Sequence, residues 1–280
     1  MNLIERANRD FPVSPFFLLN FTVEDKPMAV VEKEFPDHLV PLGDESFCFQ
    51  CHSELDCFTN CCKKVDIALY PYDILSLKNF LGIDSEKFIQ DHVQLGKASH
   101  PYFPVAMLKL SDTESCPFLT EQGCSVYEAR PSACRTYPLE RAIDRTREKG
   151  RFKEFYFKTN HSYCLGHGEA QEFTVKKWVR NQHIDQFNVA NDLWAELDTI
   201  FRENPWQGEG HAGPKQQMAF MICYNIDGFR RFVDERNLIE QFKIARDQKR
   251  RIVENDHELQ KFGYEWLKLI LTGKSSLLPK

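Results

Sequence analysis

The sequence predicts an α+β protein, in which a loop-rich metal-binding part with a small antiparallel sheet is packed against a helical C-terminal portion. Three observations predict it. Nine of the ten cysteines lie between residues 48 and 164, residues 101–160 carry strand-like alternation, and from about Val175 apolar residues recur at helical spacing. With 280 residues and 42% hydrophobic content the chain can bury a core without crosslinks, so its cysteines need another explanation.

In chain order, Pro12, Pro15, Pro27, Pro36 and Pro41 interrupt any long helix in residues 1–46. They leave room for short extended pieces such as Met28 to Val31, and Phe16, Phe17 and Phe21 give this arm something to pack with. Residues 47–174 form the expected cysteine-cluster domain. After Cys62, the alternation of Val65, Ile67 and Leu69 suits a short strand. Pro71 then suits the first turn of a helix presenting Ile74, Leu75, Leu77 and Leu81, and Gly82 ends it. Asp84 or Ser85 caps a second helix with Phe88 and Ile89 inward. Strands are expected at Val105 to Leu110, near Tyr137 to Ile143, and at Phe152 to Thr159, with a charged hairpin connection between the last two. The stretches CPFLTEQGC and CSVYEARPSAC read as cysteine-bearing loops interrupting that sheet.

Residues 175–280 form the helical portion. Phe187, Ala190, Leu193, Trp194, Leu197, Ile200 and Phe201 define an apolar face that stops before Asn204 and Pro205. Beyond the glycine- and proline-rich loop PWQGEGHAGP, helices follow around Gln216 to Tyr224, Asp227 to Arg236 and Asn255 to Leu271. Trp178, Trp194, Trp266 and Cys223 read as core residues.

A net charge of −5 gives no general pull toward nucleic acid or anionic membrane. The basic run Lys243, Arg246, Lys249, Arg250 and Arg251 is interleaved with acids and reads as a solvated helix face. No segment approaches the roughly 18 apolar residues of a membrane helix, and the charged start MNLIERANRD does not look like a signal peptide. A cytoplasmic protein is expected, whose thiols stay free or bind metal in a reducing compartment.

Five cysteines fall in FCFQCHSELDCFTNCC, residues 47–62, and the spacing from Cys51 is C-x5-C-x3-C-C. Cys116, Cys124, Cys134 and Cys164 follow. Zinc sites and iron–sulfur clusters each commonly take four thiolates. Cys61 and Cys62 are adjacent, an awkward pair of ligands for one ion because neighbouring side chains diverge in an extended chain. The metal-ligand set is Cys51, Cys57, Cys61, Cys62, Cys116, Cys124, Cys134 and Cys164, eight thiols that suffice for two four-thiolate sites or for one with the remainder buried or redox-active. Cys48 has no assignment. His52, His161 and His167 flank the ligands as reserves, and Arg130 and Arg135 are expected to donate to sulfur or backbone around the site. Lys63 and Lys64 read as surface cations.

The cysteine box ending at Cys61 and Cys62, the segment PYDILSLKNFLGI, CPFL at Cys116, CSVYEARPSACRTYP from Cys124 and YCLGHGEAQEFTVKKW around Cys164 resemble the YkgJ-type cysteine-cluster family, a zinc- or iron-chelating domain with a CxxCxxCC-like box. The resemblance covers roughly residues 47–180. The first box departs from the compact spacing for which the family is named. What the resemblance implies is metal binding, by zinc or iron, with an iron–sulfur cluster as one form.

Three readings follow: a metal-binding protein with structural or redox thiolates, an iron–sulfur enzyme that modifies proteins and resembles flagellin lysine methylase, and a metal-stabilised interaction module. The protein's partner is then a metal ion, with a protein partner or substrate in the second and third readings. No glycine-rich nucleotide-binding turn follows an expected strand.

Overall fold

The computed structural model describes residues 40–96, 101–148, 151–209 and 212–280; the arm expected over most of residues 1–46 lies outside them. The first half runs β1 (Ser46–Cys48), β2 (Ala68–Leu69), α1 (Pro71–Leu81), α2 (Ser85–His92), β3 (Val93–Gly96), β4 (Val105–Leu108), β5 (Leu119–Thr120), β6 (Gly123–Cys124) and α3 (Ser132–Thr136). It continues through β7 (Leu139–Glu148), β8 (Arg151–Lys158), β9 (Glu172–Thr174), α4 (Val175–Asn181) and α5 (Asp185–Arg202). Four further helices close the chain: α6 (Pro214–Tyr224), α7 (Ile226–Glu235), α8 (Arg246–Glu254) and α9 (Asp256–Thr272). The fold is α+β, with a helical C-terminal portion.

Local chemistry accounts for several of these boundaries. Pro71 opens α1 because an N-terminal position needs no amide donor, and Gly82 closes it in the left-handed region at φ 66°. The Asp84 carboxylate caps α2 by accepting from the Glu86 amide at 2.7 Å. Asn225 and Asn255 cap α7 and α9 in the same way, each accepting from an amide three residues on at 3.0 Å.

The strands make four separate antiparallel sheets among the described residues, in place of one interrupted sheet: β1-β9, β2-β4-β3, β5-β6 and the hairpin β7-β8. Of the alternation Val65, Ile67, Leu69, the two residues Ala68–Leu69 pair as strand, opposite Met107 and Ala106.

Two apolar clusters hold the molecule together. In the larger, Leu69, Leu77, Phe88 and Leu108 from the first half join Leu197, Phe201, Ile222, Phe229 and Leu267 of the helices, all nearly inaccessible. Phe103 stacks among Trp194, Phe201, Trp206 and Tyr224, its ring centroid 4.5 Å from that of Phe201. Lys78 of α1 adds a buried charge to this junction and pairs with Asp227 and Asp256 at 3.1 and 2.9 Å, so α1 is tied to α7 and α9 by charge as well as by burial. The smaller cluster, Phe47, Phe49, Leu139, Tyr156, Trp178, Val179 and Ile184, supports the cysteine-bearing loops. Trp178 Nε1 donates to the Thr136 carbonyl at 3.0 Å, which anchors the end of α3.

Candidate metal centre

The residues of the first cysteine box run through turns ending in a single-turn 3-10 helix, Asn60–Cys62. Thr59 and Lys64, on either side of it, both have positive φ, 66° and 51°. The left-handed region costs a non-glycine residue about 1–2 kcal/mol, so the turn that presents Cys61 and Cys62 is held in a strained form by what surrounds it.

Backbone hydrogen bonds bring distant loops to this turn. The Cys116 amide donates to the Cys62 carbonyl at 2.8 Å, and the Lys64 amide to the Glu114 carbonyl at 2.7 Å. Cys116 in turn begins the β5-β6 ribbon, where Leu119 pairs with Cys124. On the other side, the Gln50 amide donates to the Gly166 carbonyl at 3.0 Å and the Leu165 amide donates to the Cys57 sulfur at 3.2 Å. Gly166 permits that approach, since a Cβ there would lie 2.6 Å from the Gln50 carbonyl oxygen. Cys57 is thereby brought to the Cys164 loop, and Cys62 to Cys116 and Cys124.

All eight predicted thiols, Cys51, Cys57, Cys61, Cys62, Cys116, Cys124, Cys134 and Cys164, line one cavity of about 1270 Å³. Cys48 and Cys223 are not among its lining residues, and Cys223 is fully buried on α6 as expected. Among the described residues no three His, Cys, Asp or Glu side chains stand in a closed metal-holding arrangement, so the fit to a metal is one of donor chemistry and convergence. Eight soft donors around one space suit zinc or iron.

The thiols sense one another. Burial and the charges of Cys61, Cys57 and Cys164 push Cys51 up to about 11. Burial, then the charges of Cys116, Cys61, Asp73 and Cys124, push Cys134 up to about 12; its side chain has surface open to solvent, yet the surrounding protein desolvates it. Cys62 hydrogen-bonds to Cys61, which favours the thiolate at Cys61 and the thiol at Cys62. Cys62 is raised further by Cys116 and Cys134. The couplings thus sort around the adjacent pair, with Cys51, Cys57 and Cys164 on one side, Cys116, Cys124 and Cys134 on the other, and Cys61 felt by both.

Arg130 and Arg135 are buried, and both bind backbone rather than sulfur. Arg130 Nη1 donates to the Tyr127 carbonyl at 2.6 Å; Arg135 donates to the carbonyls of Gln182 and Glu128 at 2.8 and 2.6 Å. Their positive charge still bears on the site, because Arg130 opposes the burial that raises Cys124. Lys63 and Lys64 are exposed.

Of the reserve histidines, His161 lines the cavity and stacks between Tyr137 and Tyr163, with centroids 5.5 and 5.2 Å away. His167 is within 3.2 Å of the Tyr137 hydroxyl, and His52 lies 3.6 Å from Glu169. Burial and a hydrogen bond with Cys164 raise Tyr137. Sequence reasoning gave neither tyrosine a role at the site; their positions, three residues after Cys134 and one before Cys164, carry no pattern of their own. It also passed over Asp73, which is completely buried, and which burial raises to about 6 against the hydrogen bonds from Ser132 and Tyr70.

Residues 50–165 match the model of the CxxCxxCC family, described as a putative zinc- or iron-chelating domain. The match covers less than half of the chain and is a likeness to that domain. All eight thiols lie within it, and the resemblance read from the cysteine boxes is to this family. No curated protein and no solved structure matched the chain. The cavity extends beyond the matched residues 50–165, because Asn188, Asn191, Asp198 and Arg202 of α5 also line it. No helix among the described residues is long and apolar enough to cross a membrane.

Proposed function

We propose that the chain is a metal protein with two sets of four thiolates, one from Cys51, Cys57, Cys61 and Cys164 and the other from Cys62, Cys116, Cys124 and Cys134. The observation that carries this is the convergence of all eight thiols on one cavity, where Cys51 feels Cys61, Cys57 and Cys164 while Cys62 feels Cys116 and Cys134. The Cys57 sulfur and Leu165 amide bond, and the Cys62 and Cys116 backbone bond, support the same division. Each set offers the four soft donors that zinc, or iron within a cluster, takes. Four thiolates leave a divalent ion at net −2, and Arg130 is the cation whose charge reaches the second set. Such a protein requires a reducing compartment, where its thiols remain available.

Metal analysis and the visible spectrum of anaerobically purified protein test the reading. Two equivalents of metal are expected, falling by one in Cys57→Ser and by one in Cys134→Ser. Unchanged metal content in both variants would remove these residues from the sites.

A second reading rests on the cavity's size. At about 1270 Å³ it is far larger than two ions need, a water molecule taking about 30 Å³, and its α5 wall brings polar groups beside the thiols. That suits an iron–sulfur enzyme acting on a protein substrate. Brown protein with visible absorption would favour it, whereas colourless protein with stoichiometric zinc ends it.

A further inference from the structure

Helix α3 is five residues long, carries Cys134 at its centre, and has no side-chain cap of its own, because Pro131 occupies the capping position. Its first amide is satisfied from elsewhere. Asp73 Oδ1 accepts from the Ser132 amide at 2.7 Å, and Asp73 Oδ2 accepts from the Ser132 hydroxyl at 3.0 Å and from the Tyr70 amide at 2.9 Å. One carboxylate therefore closes the start of its own helix, α1, and the start of α3, with both Asp73 and Ser132 buried. At the other end of α3, Arg135 is pinned to the Gln182 and Glu128 carbonyls. Cys134 sits between these two fastenings.

A buried carboxylate is a costly way to cap five residues, since a serine, threonine or asparagine at residue 131 would do so locally. What a local cap cannot do is fix α3 relative to α1 in the large core. We propose that Asp73 is a positioning residue for the second thiolate set, holding Cys134 at a fixed distance from Cys62, Cys116 and Cys124 so that the set closes around a metal without first ordering α3. The proposal rests on the two-set reading.

The test is release of metal from native protein to a chromogenic chelator, in wild type, Cys134→Ser, Asp73→Asn and Ser132→Ala. Wild type should release two equivalents in two phases, and Cys134→Ser should lack one of them. Asp73→Asn should speed that same phase by about 10–100-fold, as loss of a group that orients a ligand does, and leave the other phase unchanged. Ser132→Ala keeps the carboxylate and two of its three bonds, so it should fold and shift the same phase by less. A merely structural role would lower the melting temperature and move both phases together; that outcome, or no change in either phase, overturns the proposal. One equivalent in wild type overturns the two-set reading instead, and the role of Asp73 then falls if Asp73→Asn does not speed release of that single ion.

Discussion

Residues 47–62 and helix α9, Asp256–Thr272, are stretches of nearly equal length held in opposite ways. Helix α9 buries Leu259, Phe262, Tyr264, Trp266, Leu267 and Leu271 in the large core, and Asn255 caps it. In the first stretch Phe47 and Phe49 are buried, but from residue 50 to 62 Cys57 is the only buried hydrophobic residue among those described. Apolar burial stabilises at roughly 25 cal/mol per Å², so α9 carries its own reason to be ordered. The cysteine box instead has a strained turn, chain crossings made by backbone hydrogen bonds, and donors that gain most from an ion. One region is held by apolar burial, the other by backbone hydrogen bonds between loops.

The largest effect that would sharpen this contrast is metal removal. A structural zinc site contributes about 10 kcal/mol or more, so a chelator should loosen Cys51–Cys62 and the Cys116–Cys134 segment while α9 keeps its hydrogen-exchange protection. Equal loss of protection in both regions would break the contrast. Next, Phe229→Ala, which empties a fully buried position against Gly263 and Trp266, should cost about 3–5 kcal/mol in denaturant unfolding. Metal content measured below that transition should be unchanged.

Lys78→Met should cost about 3 kcal/mol, because Asp227 and Asp256 would lose their shared buried cation, although Arg230 still reaches Asp256 at 2.6 Å. Chemical denaturation of the double variant with Asp227→Asn should recover part of that loss. The smallest effect concerns acid. Burial opposes the charge on Glu265, but Lys268 and the Ser276 hydrogen bonds outweigh it and hold Glu265 down to about 2. Its folded value is below the ordinary 4.5, so its contribution is full above that value and fades as pH falls from 4.5 toward 2. The protection factor of the Ser276 amide, whose N–H donates to Glu265 at 2.8 Å, should fall over that window, and Glu265→Gln should abolish that pH dependence of protection.

The helices were legible where one residue decides a boundary: Pro71 and Gly82 for α1, Asp84 for α2, and the apolar spacing of Phe187 to Phe201 for α5. The β7-β8 hairpin was legible, but most of the charged run Asp144 to Lys153 expected as its connection belongs to the strands, with Asp144 opposite Lys153. Strand pairing across long separations was not legible. Ser46–Cys48 pairs with Glu172–Thr174, three residues against three, and neither stretch carries a periodicity that selects the other. Helix α3 reads as a loop because its cap is Asp73, 59 residues away. The eight thiols stood out by type and spacing, but the divergence expected of Cys61 and Cys62 in an extended chain is not what the 3-10 turn gives: their side chains hydrogen-bond to each other. Which distant cysteine faces which of the two depends on crossings such as Leu165 to Cys57 and Cys116 to Cys62, which no local pattern encodes. The arginines follow the same rule: donation to sulfur or backbone was expected of them, whereas the choice of the Gln182 and Glu128 carbonyls by Arg135 is a property of the assembled chain.

A single peptide bond joins Cys61 to Cys62, and it sets their Cα atoms about 3.8 Å apart. Any rotation that suits one sulfur is felt at once by the next residue, inside a turn whose flanks already sit in unfavourable torsions. On the proposed division into two sets, consecutive residues of this turn would serve different ions, and the turn's torsions would set how far apart those ions can stand.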